Sequence, residues 1–416
     1  MKNKQLILNR RSFTKGVLYA SLPLSISFSS KAQKINIADR TAEVQAAIDK
    51  AVRAGSNVEL EAGIYGISKL VLTSSVNFSV KSKGIKFYQL SHEPIFNISA
   101  DNVTLSGIEM IGNPQGAGLI HADNSQKLVL SHSNLHSGGG TAITAIRSSG
   151  QLYDNAIKGF DVGIYAYDNK NFSIYQNSLR HLSDNGILVW RSVSGADGTR
   201  IFDNQIDNIG AKSGGNGPYG NGINVFRADD VKIFNNKISE CAFSAIRCNN
   251  AQRTSISYNK ISDCKEVALY AEFGSYGTNI TNNEINNAAY GISVPNQDNP
   301  KGMTLIENNI ISNIYGYSPV NPDVKEASAI SVERNTIVRN NRISNVNGFG
   351  IRAGWGEFAN ELEVYNNKIS DVKIGIAKSM VGSGPILIKN NIFQKIHDYR
   401  ISGYEWHSRV KDEIDK

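Results

Sequence analysis

The chain has 416 residues, with 44 lysines and arginines against 37 aspartates and glutamates, and three cysteines. Residues 1–32 hold six of those bases and no acid, so the remainder stands at 38 against 37. A chain so close to neutral lacks the basic face that phosphate neutralisation needs, which excludes nucleic acid as a partner, and so few cysteines exclude a small disulfide-framed domain.

The N-terminal stretch "NRRSFTKGVLYASLPLSISFSSKAQKI" places Arg10 and Arg11 before Phe13 and Lys15. The apolar run at residues 17–28 falls short of the roughly 20 residues that span a bilayer, and Pro23 and several serines interrupt it. A basic start, a short apolar middle and the small-residue ending before Ala32 predict an export signal cut after Ala32. The R-R-x-F-x-K arrangement resembles the twin-arginine export pattern. It implies the twin-arginine export machinery as a partner, a periplasmic or secreted location, and no membrane anchor once residues 1–32 are removed.

Residues 33–100 read as a cap and the first coils of a solenoid. "TAEVQAAIDKAVRAG" has helical periodicity, with Val44, Ala47, Ile48, Ala51 and Val52 on one face and Gly55 as the stop. The following "NVELEAGIYGISKLVLTSSVNFSV" alternates as strands do. An end coil exposes unpaired strand edges, and a capping helix is the expected remedy.

From about residue 150 one phrase recurs as "YDNAI", "YQNSL", "FDNQI" and so on, placing an asparagine at 155, 177, 204, 236, 259, 283, 309, 341, 367 and 391. A second phrase, Gly or Ala followed by Ile or Leu, comes 8 or 9 residues later in most units. Two units delay it, inserting residues 209–221 and 313–328. A unit of this length with alternating apolar strands predicts an all-β fold, a right-handed parallel β-helix of about 12 coils over residues 101–403. The repeated asparagine suits a turn, because it tolerates left-handed backbone angles, and stacked asparagines can also bond along the ladder. Residues 404–416 form a charged tail that seals or extends the far end.

The helix "QAAID" followed by "EAGIYGIS" resembles the opening of pectin-lyase-like right-handed β-helix proteins. Together with the signal and the phrases "VWRSVSGADGT", "NGINVFRA", "CAFSAIRCN", "EVALYAEFG" and "GIRAGWGEF", the chain resembles the twin-arginine-translocated β-helix repeat family. The resemblance implies a fold and a compartment. It brings no established reaction.

Register then sorts the side chains. If the Ile or Leu of the second phrase points inward, the next residue and the one two beyond it point outward. The first outward column reads Tyr165, Leu188, Asn224, Arg247, Tyr270, Ser293, Ser331, Arg352, Ala377. The second reads Tyr167, Trp190, Phe226, Asn249, Glu272, Pro295, Glu333, with Arg191, Arg227 and Trp355 at or just past the strand ends. Aromatic faces stack on sugar rings and arginine forks grip carboxylates. The expectation is a polysaccharide or oligosaccharide groove in which Trp190, Arg191, Asn224, Phe226, Arg227, Asn249, Arg352 and Trp355 bind substrate. The same residues also suit a strip packed under the two insertions.

For a uronate lyase or epimerase, an arginine (Arg247, Arg227 or Arg352) would neutralise the sugar carboxylate. Tyr270 would serve as base or acid if nearby arginines lowered its pKa. For an inverting hydrolase, Glu272 and Glu333 would form a carboxylate pair about 9.5 Å apart by strand spacing. Non-catalytic glycan binding and a structural array remain as alternatives. The phrases of pectin hydrolases (N-T-D, G-H-G, R-I-K) and the R-x-P-x-x-R of pectate lyases are absent. No cofactor motif is evident. Asp229-Asp230 offers a calcium option, though such pairs first read as turn residues. Cys241 and Cys264 fall in one inward column, expected as reduced core thiols rather than a disulfide, and Cys248 in another.

Overall fold

The computed structural model describes residues 37–79, 84–214, 217–296, 302–318, 326–382 and 384–414. The export segment, with Arg10, Arg11, Phe13 and Ala32, lies outside the described residues. No described helix is long and apolar enough to cross a membrane.

The alternating runs form strands that stack coil upon coil. One sheet has 13 strands, one per coil, from Val76–Ser79 to Ile386–Lys389. The β-helix therefore has about 13 turns, one more than the repeat count suggests, because the first coils lack the asparagine phrase. The second sheet, of 24 strands, closes the rest of each coil. It starts as two ladders that later fuse: Lys237–Cys241 and Ile246–Asn249 of one coil are continued in the next by the single strand Lys260–Glu272.

The helix Thr41–Ala54 caps the N-terminal end. It buries Val44, Ile48 and Ala51 and stops at Gly55, whose φ of 61° is left-handed. At the other end the chain turns back as a hairpin, Ser408–Lys411 pairing antiparallel with Ile392–Glu405, and Ile414 packs on the core.

The repeated asparagines are buried, 0–1% exposed from Asn155 to Asn367. Each Oδ1 from Asn177 to Asn391 accepts the backbone N–H and the Nδ2 of the preceding asparagine, as Asn259 does from Asn236 at 3.0 Å for both. The left-handed angle sits one residue earlier, at Asp154, Gln176, Asp203, Asn235, Tyr258, Asn282, Asn308, Asn340, Asn366 and Asn390. So the expectation about the turn needs correcting: the neighbour takes the strained backbone, and the asparagine is there for its side-chain amide.

The cysteine columns fall as register predicts. Leu182, Ile209 and Cys241 are in register, and so are Cys264, Ala288, Ile314, Val346 and Val372. Cys248 aligns with Val225 and Ala271. All three thiols are free and buried. Burial pushes Cys248 up to about 12, which makes it a core methyl equivalent rather than a nucleophile.

Candidate functional site

Strand pairing reproduces the first outward column without a slip: Tyr165, Leu188, Asn224, Arg247, Tyr270, Ser293, Ser331, Arg352 and Ala377 are successive partners. Tyr167, Trp190, Phe226, Asn249 and Glu272 likewise align. Sequence reasoning missed a third column beside the first, in which Asn185 pairs with Asn221, Val267 with Tyr290 and Ser328 with Phe349, whose ring meets Arg352. It lies two residues before the core Ile or Leu, and the small Gly or Ala between is the signal that could have revealed it. The face carries three groups.

The first is aromatic. Trp190 meets Tyr165 and Phe226 edge-on, each with centroids 5.7 Å apart. Its indole Nε1 donates to Asn224 Oδ1 at 3.2 Å. Asn224 in turn donates to the Gly217 carbonyl of the first insertion at 3.2 Å and is only 4% exposed. Asn224 thus braces Trp190 under a loop. Arg227 stacks on Phe226 at 4.7 Å and donates to the Ser192 carbonyl at 2.9 Å. Arg191 donates to the Asn169 carbonyl at 3.2 Å and lies 3.8 Å from buried Asp197. Both arginines tie down the bulge after Trp190, at the rim of the face.

The second group is ionic and almost closed. Arg247 Nε donates to Glu272 Oε1 at 2.6 Å, and Asn249 Nδ2 donates to the same oxygen at 2.9 Å. Glu266, not anticipated from sequence, lies 3.7 Å from Arg247 Nη1 and accepts from Ser244 Oγ at 3.0 Å. Exposure is 6% for Arg247, 7% for Glu266 and 1% for Glu272. The Arg247 guanidinium lies over the Tyr270 ring at 4.9 Å. Burial first, then the charge of Glu272, holds the Tyr270 phenol well above its ordinary 10.0; Arg247 pulls the other way and loses. The condition on which Tyr270 would serve as base, a pKa lowered by nearby arginines, is not met. Glu333 acts on the same phenol, so it borders this group. Burial also raises the Glu266 carboxyl against the pull of Arg247.

The third group surrounds Arg352. Its guanidinium lies 4.9 Å from the Phe349 ring and 4.8 Å from the Trp355 ring. No carboxylate stands within ion-pair distance of it among the described residues, and burial lowers its pKa. The C-terminal hairpin closes over this group. Trp406 meets Trp355 at 5.7 Å, His407 meets Trp355 at 4.6 Å, and Tyr404 meets Phe349 at 5.5 Å. Between the second and third groups the column shrinks to Ser293 and Ser331, so small side chains mark a notch in the column over two coils, or about 10 Å. Tyr290 stands beside it, its hydroxyl donating to the Gly316 carbonyl of the second insertion at 2.9 Å. Both Arg352 and Glu266 act on that phenol, so the two groups are neighbours across the notch.

The acidic pair that offered the calcium option is engaged by an arginine. Arg253 pairs with Asp230 at 2.8 Å and Asp229 at 3.3 Å. Among the described residues no three His, Cys, Asp or Glu side chains converge as a metal site.

Solved structures with similar folds include the A-module of a mannuronan C-5 epimerase from Azotobacter vinelandii, with 14% identity, TM-score 0.50, and cover of 86% of this chain and 96% of that one. A surface adhesin of Streptococcus pneumoniae follows at 15% identity and TM-score 0.49, covering 90% and 91%. A mannuronic-acid-specific polysaccharide family 6 lyase from human gut microbiota gives 12% identity and TM-score 0.48, covering 85% and 86%. Such identities establish the fold alone. No curated protein matches the chain by sequence. The family model described as "right handed beta helix region" matches residues 148–310 and 273–410. With that match over most of the coils just described, the chain belongs to the right-handed β-helix family.

Proposed function

We propose that this protein is exported by the twin-arginine route and binds an acidic, uronate-containing polysaccharide along the three-column face, acting on it by lyase or epimerase chemistry. The observation that carries the reading is the contrast between two arginines. Arg247 is already committed to Glu272, whereas Arg352 is held between two rings with no carboxylate partner among the described residues. A planar guanidinium prepared in this way is a seat for a carboxylate. Seated there, the carboxylate has its charge offset, and the hydrogen on the neighbouring sugar carbon becomes more acidic. That is the shared first requirement of both chemistries. The notch at Ser293 and Ser331 has the length of one or two sugar rings, and the Trp190 group offers an aromatic surface further along the same face.

Hydrolysis by Glu272 and Glu333 fits less well, because a carboxylate 1% exposed and bonded to Arg247 and Asn249 does not reach an attacking water. Non-catalytic binding is the second reading. It draws on the closed state of Glu272 and on a Tyr270 that stays protonated.

The test uses the full chain with polymannuronate, polyguluronate, polygalacturonate and a neutral glucan, following unsaturated-uronate absorbance, solvent deuterium entering C5, and binding. Uronate-dependent absorbance or exchange that falls at least 10²-fold in Arg352→Ala, about 2.7 kcal/mol, is the expected result. Binding with neither signal would select the second reading. Equal binding of the neutral glucan and the uronates would sink the proposal.

A further inference from the structure

We propose that His407, carried on the C-terminal hairpin, is the base that takes the proton from the carbon next to the sugar carboxylate seated on Arg352. The inference rests on the reading of Arg352 given above. Geometry brings the two together: the Arg352 guanidinium and the His407 imidazole pack on the same indole, at 4.8 Å and 4.6 Å from the Trp355 ring. The hairpin tip is not loosely placed. Trp406 takes a left-handed φ of 54° and lies against Gly356, where a Cβ would stand 2.5 Å from its ring. Phe358 meets the same ring edge-on, with centroids 6.1 Å apart. Tyr404, at the base of the hairpin, packs edge-on against Phe349.

The protonation states around Arg352 single out the same residue. Tyr290 and Tyr404 are raised by burial and keep their protons. Glu326, which also acts on Arg352, is paired with Lys373 at 2.8 Å. His407 is pushed down, first by partial burial and then by Arg352, so it is neutral at pH 7 and has a lone pair to offer. Neither ring nitrogen has a hydrogen-bond partner among the described residues, and the side chain is exposed.

The C5–H bond breaks, its proton goes to a ring nitrogen of His407, and the electron pair is held as the enediolate of the carboxylate against Arg352. In elimination that pair becomes the C4–C5 double bond as the C4–O bond breaks, and the leaving oxygen takes the proton from the imidazolium. In epimerisation a proton from water reaches the opposite face of C5, and the imidazolium gives its proton to water.

The experiment compares wild type, His407→Gln and Arg352→Lys as full chains on the uronate polymer that the wild type turns over. His407→Gln is expected to lose on the order of 10²-fold or more in kcat, or in C5 exchange, with KM within about threefold. Added imidazole should restore part of the rate. Arg352→Lys should raise KM. A thermal midpoint for His407→Gln equal to that of wild type separates lost chemistry from lost fold, and imidazole rescue does so independently. An active wild type with an equally active His407→Gln overturns this inference and leaves the proposed function standing. A wild type that binds but shows neither turnover nor exchange overturns both.

Discussion

At the scale of single residues, the Arg247 group is where charge is most constrained. A lone buried charge costs far more than a paired one, so removing one partner harms more than the pair contributes. Arg247→Ala would strand Glu272 and Glu266 together. The expected loss is about 3–5 kcal/mol in urea unfolding, whereas Arg352→Ala, which strands no carboxylate, should cost less than about 2 kcal/mol. Similar losses for the two would contradict the assigned difference between them. Glu266 gives the group a pH dependence of definite sign. Its folded carboxyl is raised above the ordinary 4.5, so the folded state holds this proton longer than the unfolded chain does. The stability it contributes is therefore present below 4.5 and lost as pH climbs from there through the folded value. Glu266→Gln should flatten that decline in the denaturation midpoint between pH 4 and 7. An unchanged slope would mean that the carboxyl is not raised.

The outward columns were legible at this scale because a two-residue period leaves only one choice once the core Ile is fixed. The pairing among them was not. Glu266 sits where two ladders fuse into Lys260–Glu272 and the register slips between Cys264 and Val267, so periodicity gives no side for it. The neutral imidazole beside Arg352 was hidden for another reason. His407 returns antiparallel, after the last repeat, to meet Trp355 across a separation of 52 residues.

At the scale of one element, the asparagine ladder and its left-handed neighbours make separable predictions. Asn259→Ala removes the acceptor for both the N–H and the Nδ2 of Asn236 and leaves the Ile233 carbonyl without its donor. Each buried orphan costs about 1–3 kcal/mol, and a combined loss of about 3 kcal/mol is expected in chemical denaturation. The adjacent Tyr258 has φ 57° and is 60% exposed. Asn accepts that backbone more readily than Tyr, so Tyr258→Asn should leave the midpoint unchanged or raise it slightly. If instead the two substitutions behaved alike, the division of labour between turn and ladder would be wrong. The hairpin yields another case. Gly356→Ala places a methyl into the Trp406 ring and should release the tip, seen as raised tryptophan accessibility to a neutral quencher.

At the scale of the whole molecule, the design is one-dimensional, and each coil depends on its neighbours for strand partners. The helix Thr41–Ala54 is then more than an ornament. Ile48→Arg would lift it and expose the edge of the first coil, a template for pairing with other chains. Concentration-dependent association by light scattering is expected, and a strictly monomeric variant would show that the edge is protected by other means. The architecture was almost wholly readable from the repeat, down to the capping helix and the cysteine columns, since a solenoid states its packing rule many times over. The early coils, which lack the asparagine phrase, were the part that the count missed.

The asparagine ladder also has a direction. From Asn155 to Asn367 every side-chain amide donates one N–H to the asparagine of the coil that follows, while its Nδ2 also reaches back to a backbone carbonyl of the coil before, as Asn259 does to Ile233; from Asn177 on, its Oδ1 accepts from the preceding asparagine. Their dipoles therefore add head to tail, as peptide dipoles do in a helix, and each bond polarises the next. The protein carries an internal electrical axis along its length, with the positive end toward the C-terminal coils. The two ends of the ladder thus differ in potential, and an anionic chain lying along the solenoid would find its two orientations unequal in energy.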